Sequence, residues 1–416
     1  MPRRRTRTQV KPCRVLPSIV ADPMHPQTAR ADAAPARILP VIVLAQFLGT
    51  APWFAVNAVM PDLQRDFGWP ASAVGTLTSA VQLGFIGGAL VFALLAVADR
   101  FPARRVFLGC ALASAGCTLA AAVMAESFPA LVFWRVLTGF CLAGIYPVGM
   151  KIAAQWFPRG LGQAMGLLIG ALVLGSALPH ALRALSGDWP WAAVFGAVAT
   201  ASALAGIGLV WAVPEPPVAR VRPPGLHLSA LASLVSDPKV RASVFGYFGH
   251  MLELYTMWVL VTFVLATRLQ GAALSWAAFC VLGAGAIGCA AGGWLAGRVG
   301  SARVAGVQLA ISGLCCLAAP WMLQAGTVPF FAWLLLWGIT VAGDSPQFST
   351  LTAMNAPPGS VGSVLTLSNS IGFGISILSI QLFVTLAESQ PLASLLPWLG
   401  LGPLLGLWAL RPLLRR

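Results

Sequence analysis

The sequence predicts an all-α membrane protein, with twelve transmembrane helices arranged as two pseudo-symmetric six-helix bundles. Three observations predict it. Of 416 residues only 9% are charged and 58% are hydrophobic, with a mean hydropathy of +0.82, whereas about a quarter of a soluble chain is charged. The apolar residues gather in twelve blocks, each close to the roughly 20 residues a helix needs to cross a bilayer. The first six blocks also resemble the last six.

The blocks run over 38–60, 72–97, 106–125, 128–150, 161–182, 191–213, 242–266, 274–296, 304–323, 328–352, 360–385 and 393–410. Transmembrane strands would be half as long and alternating. A helix satisfies its own backbone in lipid, so the 43 Gly residues do not argue against helices. Residues 1–37 form a basic tail (Arg3, Arg4, Arg5, Arg7, Lys11, Arg14). Its Val15–Val20 stretch is too short for the apolar core of a signal peptide, and Met24 is a second candidate start. The domains follow: an N-terminal bundle over 38–213, a linker over 214–241, a C-terminal bundle over 242–412 and a short tail over 413–416. The linker opens Pro214-Glu215-Pro216-Pro217, and its Leu226–Val235 part is expected to lie on the membrane surface as an amphipathic helix.

The net charge of +14 is not a nucleic-acid signature. Of 26 Lys+Arg, 22 lie on the side of the two termini, three on the other side, and Arg135 inside a block. This positive-inside bias predicts cytoplasmic termini in an inner or plasma membrane. No connection is long enough to be a basic folded domain. The lipid bilayer is the expected partner, with a monomer as the expected state. Seven of the eight Cys lie within blocks, where they behave as small apolar residues. Cys315 and Cys316 are adjacent, but no His or carboxylate stands near them in sequence, so no metal and no cofactor is expected.

The repeat is specific. Residues 134–147 (W-R-V-L-T-G-F-C-L-A-G-I-Y-P) align with 333–346 (W-L-L-L-W-G-I-T-V-A-G-D-S-P), matching Trp134/Trp333, Leu137/Leu336, Gly139/Gly338, Ala143/Ala342, Gly144/Gly343 and Pro147/Pro346 at an offset of 199. Arg100, Arg105 and Val106 match Arg298, Arg303 and Val304 at 198. A duplicated six-span unit is the plan of secondary transporters whose halves rock about a central site.

On these features the chain resembles the major facilitator superfamily over residues 38–412. Asp99-Arg100-Phe101-Pro102-Ala103-Arg104-Arg105 looks like that family's loop signature G-x-x-x-D-R-x-G-R-K/R, with Leu95 in place of the leading Gly and one extra residue before the second Arg pair. The second copy keeps Gly293 but has Gly297 in place of the Asp. The resemblance implies a gating loop of Asp99, Arg100, Arg104 and Arg105. Asp99 is expected to accept hydrogen bonds from Arg100 or a neighbouring helix N-terminus; the plainer reading makes the arginines topology anchors. The resemblance also implies that spans 1, 4, 7 and 10 line a central cavity while 3, 6, 9 and 12 face lipid.

An ionised group at bilayer depth costs at least about 2.5 kcal/mol, so it faces a partner or a wet cavity. Three such residues lie inside blocks: Arg135, Glu253 and Asp344. Glu253 is near mid-span and shares a helix face with His250 at i, i+3. It is expected to carry a proton, across a cavity from Arg135; the alternative is a static His–Glu or Arg–Glu pair. Arg135 opens an R-x-x-x-G element similar to span 4 of many proton-coupled members of the family, and must act as a fixed charge. Asp344 precedes Pro346 and serves as either a coupling site or a cytoplasmic gate. Gln46, Asn57, Tyr146, Tyr247, Tyr255 and Gln347 complete the cavity-lining candidates. In span 5, Gly175 and Pro179 match the antiporter signature G-P-x-x-G-G only loosely.

The function expected is secondary transport of a small solute, coupled to protons and directed at a small organic anion. The alternatives are drug or metabolite efflux by proton antiport, and a transporter-like sensor. No G-x-x-x-x-G-K-S/T is present for an ATP-driven pump, and no nucleophile or metal-ligand setting points to an intramembrane enzyme.

Overall fold

The computed structural model describes residues 35–157, 161–187, 189–215, 230–357 and 359–415. The basic tail to residue 34, Met24 and the first part of the expected linker helix lie outside these. A linker helix is present over Ala230–Ser236.

Among the described residues twelve helices are long and apolar enough to cross a membrane. They are α1 (Ile38–Phe67), α2 (Ala73–Leu94), α3 (Ala103–Val123), α4 (Phe128–Trp156), α5 (Gly162–Leu185), α6 (Trp191–Ala212), α7 (Pro238–Ala266), α8 (Gly271–Val299), α9 (Ser301–Met322), α10 (Thr327–Asn355), α11 (Val361–Ala387) and α12 (Leu392–Leu414). Each coincides with one apolar block. Several run a turn or more past it, because polar residues such as Gln64, Lys151, Lys239 and Arg298 continue a helix into the headgroup region without adding hydropathy.

The packing repeats with a shift of six helices. α1 packs on α5 and α6 as α7 does on α11 and α12; α2 packs on α4 as α8 does on α10; α3 packs on α4 and α6 as α9 does on α10 and α12. The two six-helix bundles meet along α2–α11 and α5–α8. The α5–α8 contact is built from small residues: a Cβ at Gly166 would lie 3.0 Å from the Cys289 carbonyl oxygen, and one at Gly170 3.1 Å from that of Ala286. Small residues let helices approach closely where lipid supplies no hydrophobic drive. Across α2–α11, Gln381 donates to Ser79 Oγ at 2.8 Å and Ser376 to Gln82 Oε1 at 3.1 Å.

The repeated motif now has a physical account. A Cβ on Gly139 would collide with the Val81 carbonyl of α2, and one on its mate Gly338 with the Val281 carbonyl of α8. Gly144 and Gly343 are closed by side chains instead, those of Cys110 and Gln308, at equivalent places on α3 and α9. Pro147 and Pro346 each sit in the first turn of a helix that restarts after a break, at Tyr146–Trp156 and Ser345–Asn355. A proline is tolerated there because its missing N–H would be unpaired anyway.

α1 is broken as well. Its helical turns stop at Thr50, pass through a 3₁₀ turn over Ala51–Phe54 containing Pro52, and resume at Ala55. Large apolar side chains project outward from α3, α6, α9 and α12, among them Leu119, Trp211, Leu314 and Trp408, as expected of lipid-facing helices.

Candidate functional site

Near the middle of the molecule, where the bundles face each other, aromatic rings from both halves interlock. Trp53 and Phe54 of α1 stack on Tyr255 of α7 with centroids 6.1 and 6.3 Å apart. Phe54 meets Trp258 edge-on at 5.4 Å, and Phe85 of α2 lies 4.8 Å from Phe373 of α11. Beside this seam is a cavity of about 30 Å³, room for a few waters at most. All three tyrosines of the chain line it, Tyr146, Tyr247 and Tyr255, together with Trp258, Asn369 and Phe373. Of the sequence candidates the three tyrosines therefore converge. The indole N–H groups of Trp53 and Trp258 are buried without a hydrogen-bond partner among the described residues.

The intramembrane charges are placed differently from expectation. Glu253 is 1% exposed and turns into its own bundle, accepting from Ser312 Oγ (2.9 Å), Cys316 Sγ (3.2 Å) and Trp337 Nε1 (2.7 Å). Glu253 is absent from the lining of the central cavity, and Arg135 is not opposite it. The fold also brings a carboxylate to Cys316 that the linear sequence left remote. Arg135, fully buried, donates to the carbonyls of Pro52 (2.8 Å) and Trp53 (2.5 Å). Those are main-chain acceptors at the break in α1, where the Pro52 carbonyl also accepts the Ala55 N–H, and a guanidinium presents donors spaced to hold both. Arg104 and Arg268 act alike. Arg104 donates to the Val213 carbonyl at 3.2 Å beyond α6, and Arg268 to those of Leu323 and Ala325 at 2.9 and 2.6 Å beyond α9.

His250 pairs with Asp344 rather than Glu253. Nδ1 lies 2.8 Å from Oδ1, close but not aligned as a hydrogen bond, and both side chains are buried. Nε2 of His250 and Oδ2 of Asp344 have no partner among the described residues. Asp344 occupies the break of α10, between Thr327–Gly343 and Ser345–Asn355. Its neighbour Ser345 lines the central cavity, as does Tyr247, whose ring is 5.8 Å from His250.

At the end bearing the α2–α3 connection, Asp99 forms an ion pair with Lys151 of α4, not with Arg100 or a helix N-terminus. Lys151 also donates to the Ala98 carbonyl at 2.7 Å. The left-handed turn at Ala96 (φ 49°) sets the short helix Val97–Arg100 so that Arg100 is exposed while Asp99 faces α4. Arg104 pairs with Glu215 at 2.8 Å, and Arg105 is exposed. Asp99 and Lys151 line a cavity of about 340 Å³ shared with Gly362 and Thr366 of α11. Gln347 lines another cavity at this end, of about 380 Å³. Gln46 is buried within the N-terminal bundle with neither amide atom paired among the described residues. At the opposite end Asn57 pairs with Thr78 at 2.9 Å and lines a cavity of about 550 Å³. There Asp62 accepts from Arg183 at 2.7 and 3.0 Å, an ion pair between α1 and α5 that sequence reasoning missed. Its only sequence signal is that Asp62 and Arg183 both flank apolar blocks on the charge-poor side.

Known proteins share this architecture. The structure superposes on that of the human organic anion transporter MFSD10 (TETRAN) with a TM-score of 0.72 at 18% identity, covering 90% of this chain and 99% of the other. The sequence is similar to a chloramphenicol resistance protein of Streptomyces lividans (31% identity; 56% of this chain, 62% of the relative). It is also similar to a 3-(3-hydroxy-phenyl)propionate transporter of Escherichia coli K12 (30%; 34% of each) and to the 4-hydroxybenzoate transporter PcaK of Pseudomonas putida (27%; 37% of each). The chain thus spans between about a third and 62% of the length of these relatives. The sequence pattern of the Major Facilitator Superfamily matches residues 42–380, and with twelve helices in the repeated packing above, the chain belongs to that family of multi-pass membrane transporters.

Proposed function

We propose that this transporter carries a small aromatic solute bearing hydrogen-bonding oxygens, by alternating access around the three-tyrosine cavity. The observation that supports this most directly is the set of side chains that meet between the halves, Tyr146, Tyr247, Tyr255, Trp258 and Phe373, around a cavity that admits a ring only once the halves part and widen it. Aromatic walls match an aromatic ring through offset or edge contacts worth about 0.5–1.5 kcal/mol each. Tyrosine hydroxyls and the unpaired Trp258 N–H offer partners for oxygens. Two of the relatives are named for hydroxylated aromatic acids. Protons are the proposed coupling ion, with the termini cytoplasmic and the protein acting as a monomer.

The coupling site we assign to His250 and Asp344. Glu253 is held by Ser312, Cys316 and Trp337 inside its own bundle, away from the cavity lining. The His250–Asp344 pair keeps unpaired atoms and sits one residue from the cavity wall at Ser345. The test is flux into proteoliposomes using labelled 4-hydroxybenzoate. Accumulation driven by an imposed pH gradient, and reduced at least tenfold by Tyr255→Ala, is expected. Efflux is the second reading, favoured by the chloramphenicol-resistance relative. Proton-driven movement of chloramphenicol, with no flux of 4-hydroxybenzoate, would replace the first reading with it.

A further inference from the structure

We propose that the 550 Å³ cavity at the end opposite the Asp99 loop is a second binding site for the same aromatic solute, holding its neutral hydroxyl end through His180. This inference rests on the aromatic-solute reading above. The cavity lies between the halves, walled by Asn57 and Met60 of α1, His180 of α5, Thr262 and Phe263 of α7 and Ser275 of α8. It is more than ten times the volume of the central one, and falls within the usual range of small-molecule sites.

His180 marks it as a built site. The imidazole is 1% exposed, yet its Nε2 has no hydrogen-bond partner among the described residues. A buried polar atom left unpaired costs free energy, and a ligand hydroxyl can supply the missing bond whichever tautomer is present. The charge around it selects the ligand end. Arg183 already gives Asp62 two hydrogen bonds and Ser186 a third at 2.9 Å. Arg65 is held between Asp62 (3.0 Å) and Asp66 (3.1 Å). Both cations in the wall are therefore neutralised, so a phenolic hydroxyl fits here better than a carboxylate.

The two cavities are one helical turn apart. Asn57 follows Phe54 by three residues and Thr262 follows Trp258 by four, so each lies a turn along the same helix face. Trp258 lines the central cavity and meets Phe54 edge-on at 5.4 Å. A solute waiting at His180 reaches the tyrosines when those two rings part.

The test is equilibrium dialysis of labelled 4-hydroxybenzoate and of benzoate against the full-length protein in nanodiscs. The wild type is expected to bind two equivalents of 4-hydroxybenzoate and one of benzoate, which lacks the hydroxyl. His180→Phe is expected to bind one equivalent of each, and His180→Gln to recover the second. Thr262→Trp fills the cavity from α7 and should remove the same equivalent without touching His180. One equivalent of 4-hydroxybenzoate in the wild type, unchanged by these substitutions, overturns the second site and leaves the central one standing. No saturable binding by the folded wild type overturns both.

Discussion

Replacing Arg135 separates two roles that a buried arginine in a transporter can have. In the structure its guanidinium holds the Pro52 and Trp53 carbonyls where α1 breaks. Arg135→Met keeps most of the apolar volume, removes both hydrogen bonds and leaves the Trp53 carbonyl unpaired inside the bundle, while that of Pro52 keeps the Ala55 N–H. A buried group so orphaned costs about 1–3 kcal/mol in a soluble protein, but interhelical hydrogen bonds measured in a membrane average only about 0.6 and reach about 1.7. Two bonds together should therefore contribute about 1–3 kcal/mol. Arg135→Lys retains the charge but brings a single ammonium in place of a planar fork, and should lose about half as much. Thermal unfolding of the purified protein in detergent reads this directly: the melting temperature should fall in the order wild type, Lys, Met. Transport should decline in the same order, because the Trp53 and Phe54 rings ride on the segment that Arg135 holds. If the Met variant melts like the wild type while transport vanishes and Lys restores it, Arg135 acts as a charge toward solute or proton, and its hold on α1 is incidental.

Gly139→Ala and Gly338→Ala should each destabilise by about 3 kcal/mol, the upper end of overpacking costs, since the added methyl meets a main-chain carbonyl that cannot swing away; equal losses in melting temperature at the two repeat positions are expected. Asp344→Asn should abolish accumulation driven by a pH gradient while counterflow of 4-hydroxybenzoate continues, whereas Glu253→Gln should lower the melting temperature and leave coupling in place; the reverse pattern in proteoliposomes would return the proton to Glu253. Asp99→Asn should scarcely change stability, because a pair exposed by 24% and 29% contributes ~0–1 kcal/mol, yet labelling of Gly362→Cys in the adjoining cavity should speed up if the pair holds that end shut. Ala96→Gly should raise stability by about 0.5–1 kcal/mol by relieving a left-handed residue, measured by the same melting assay.

The twelve helices were legible because lipid demands long apolar runs, and hydropathy records them without any knowledge of contacts. The repeat was legible for a similar reason: Gly139 and Gly338 are each dictated by a backbone pressed against them, so both copies kept the residue. Partner choice was not legible. Asp99 and Lys151 are 52 residues apart, and Asp62 and Arg183 are 121 apart. Which cation reaches which acid depends on how each helix is rotated about its axis. Glu253 illustrates the same limit. Spacing put it on a face with His250, but packing turned it to Ser312 and Trp337 while His250 went to Asp344. The block 38–60 reads as one unbroken span, and both its break at Pro52 and the hold of Arg135 on the carbonyls there required the fold.

The aromatic seam also gives the protein an optical reporter of its own. Of the 15 Trp residues, Trp53 and Trp258 are 0% and 1% exposed, stand in the contact between the halves, and have indole N–H groups with no hydrogen-bond partner among the described residues. An indole so shielded emits at short wavelength, and water reaching its N–H shifts the emission to the red. Trp211 and Trp408 lie on the outer surface of α6 and α12, where lipid surrounds them whichever way the halves rock, so their emission forms a constant background. The part of a difference spectrum between closed and opened states that Trp53→Phe and Trp258→Phe remove then follows the seam, without an attached dye, and stopped-flow mixing would turn it into a clock for the rocking step.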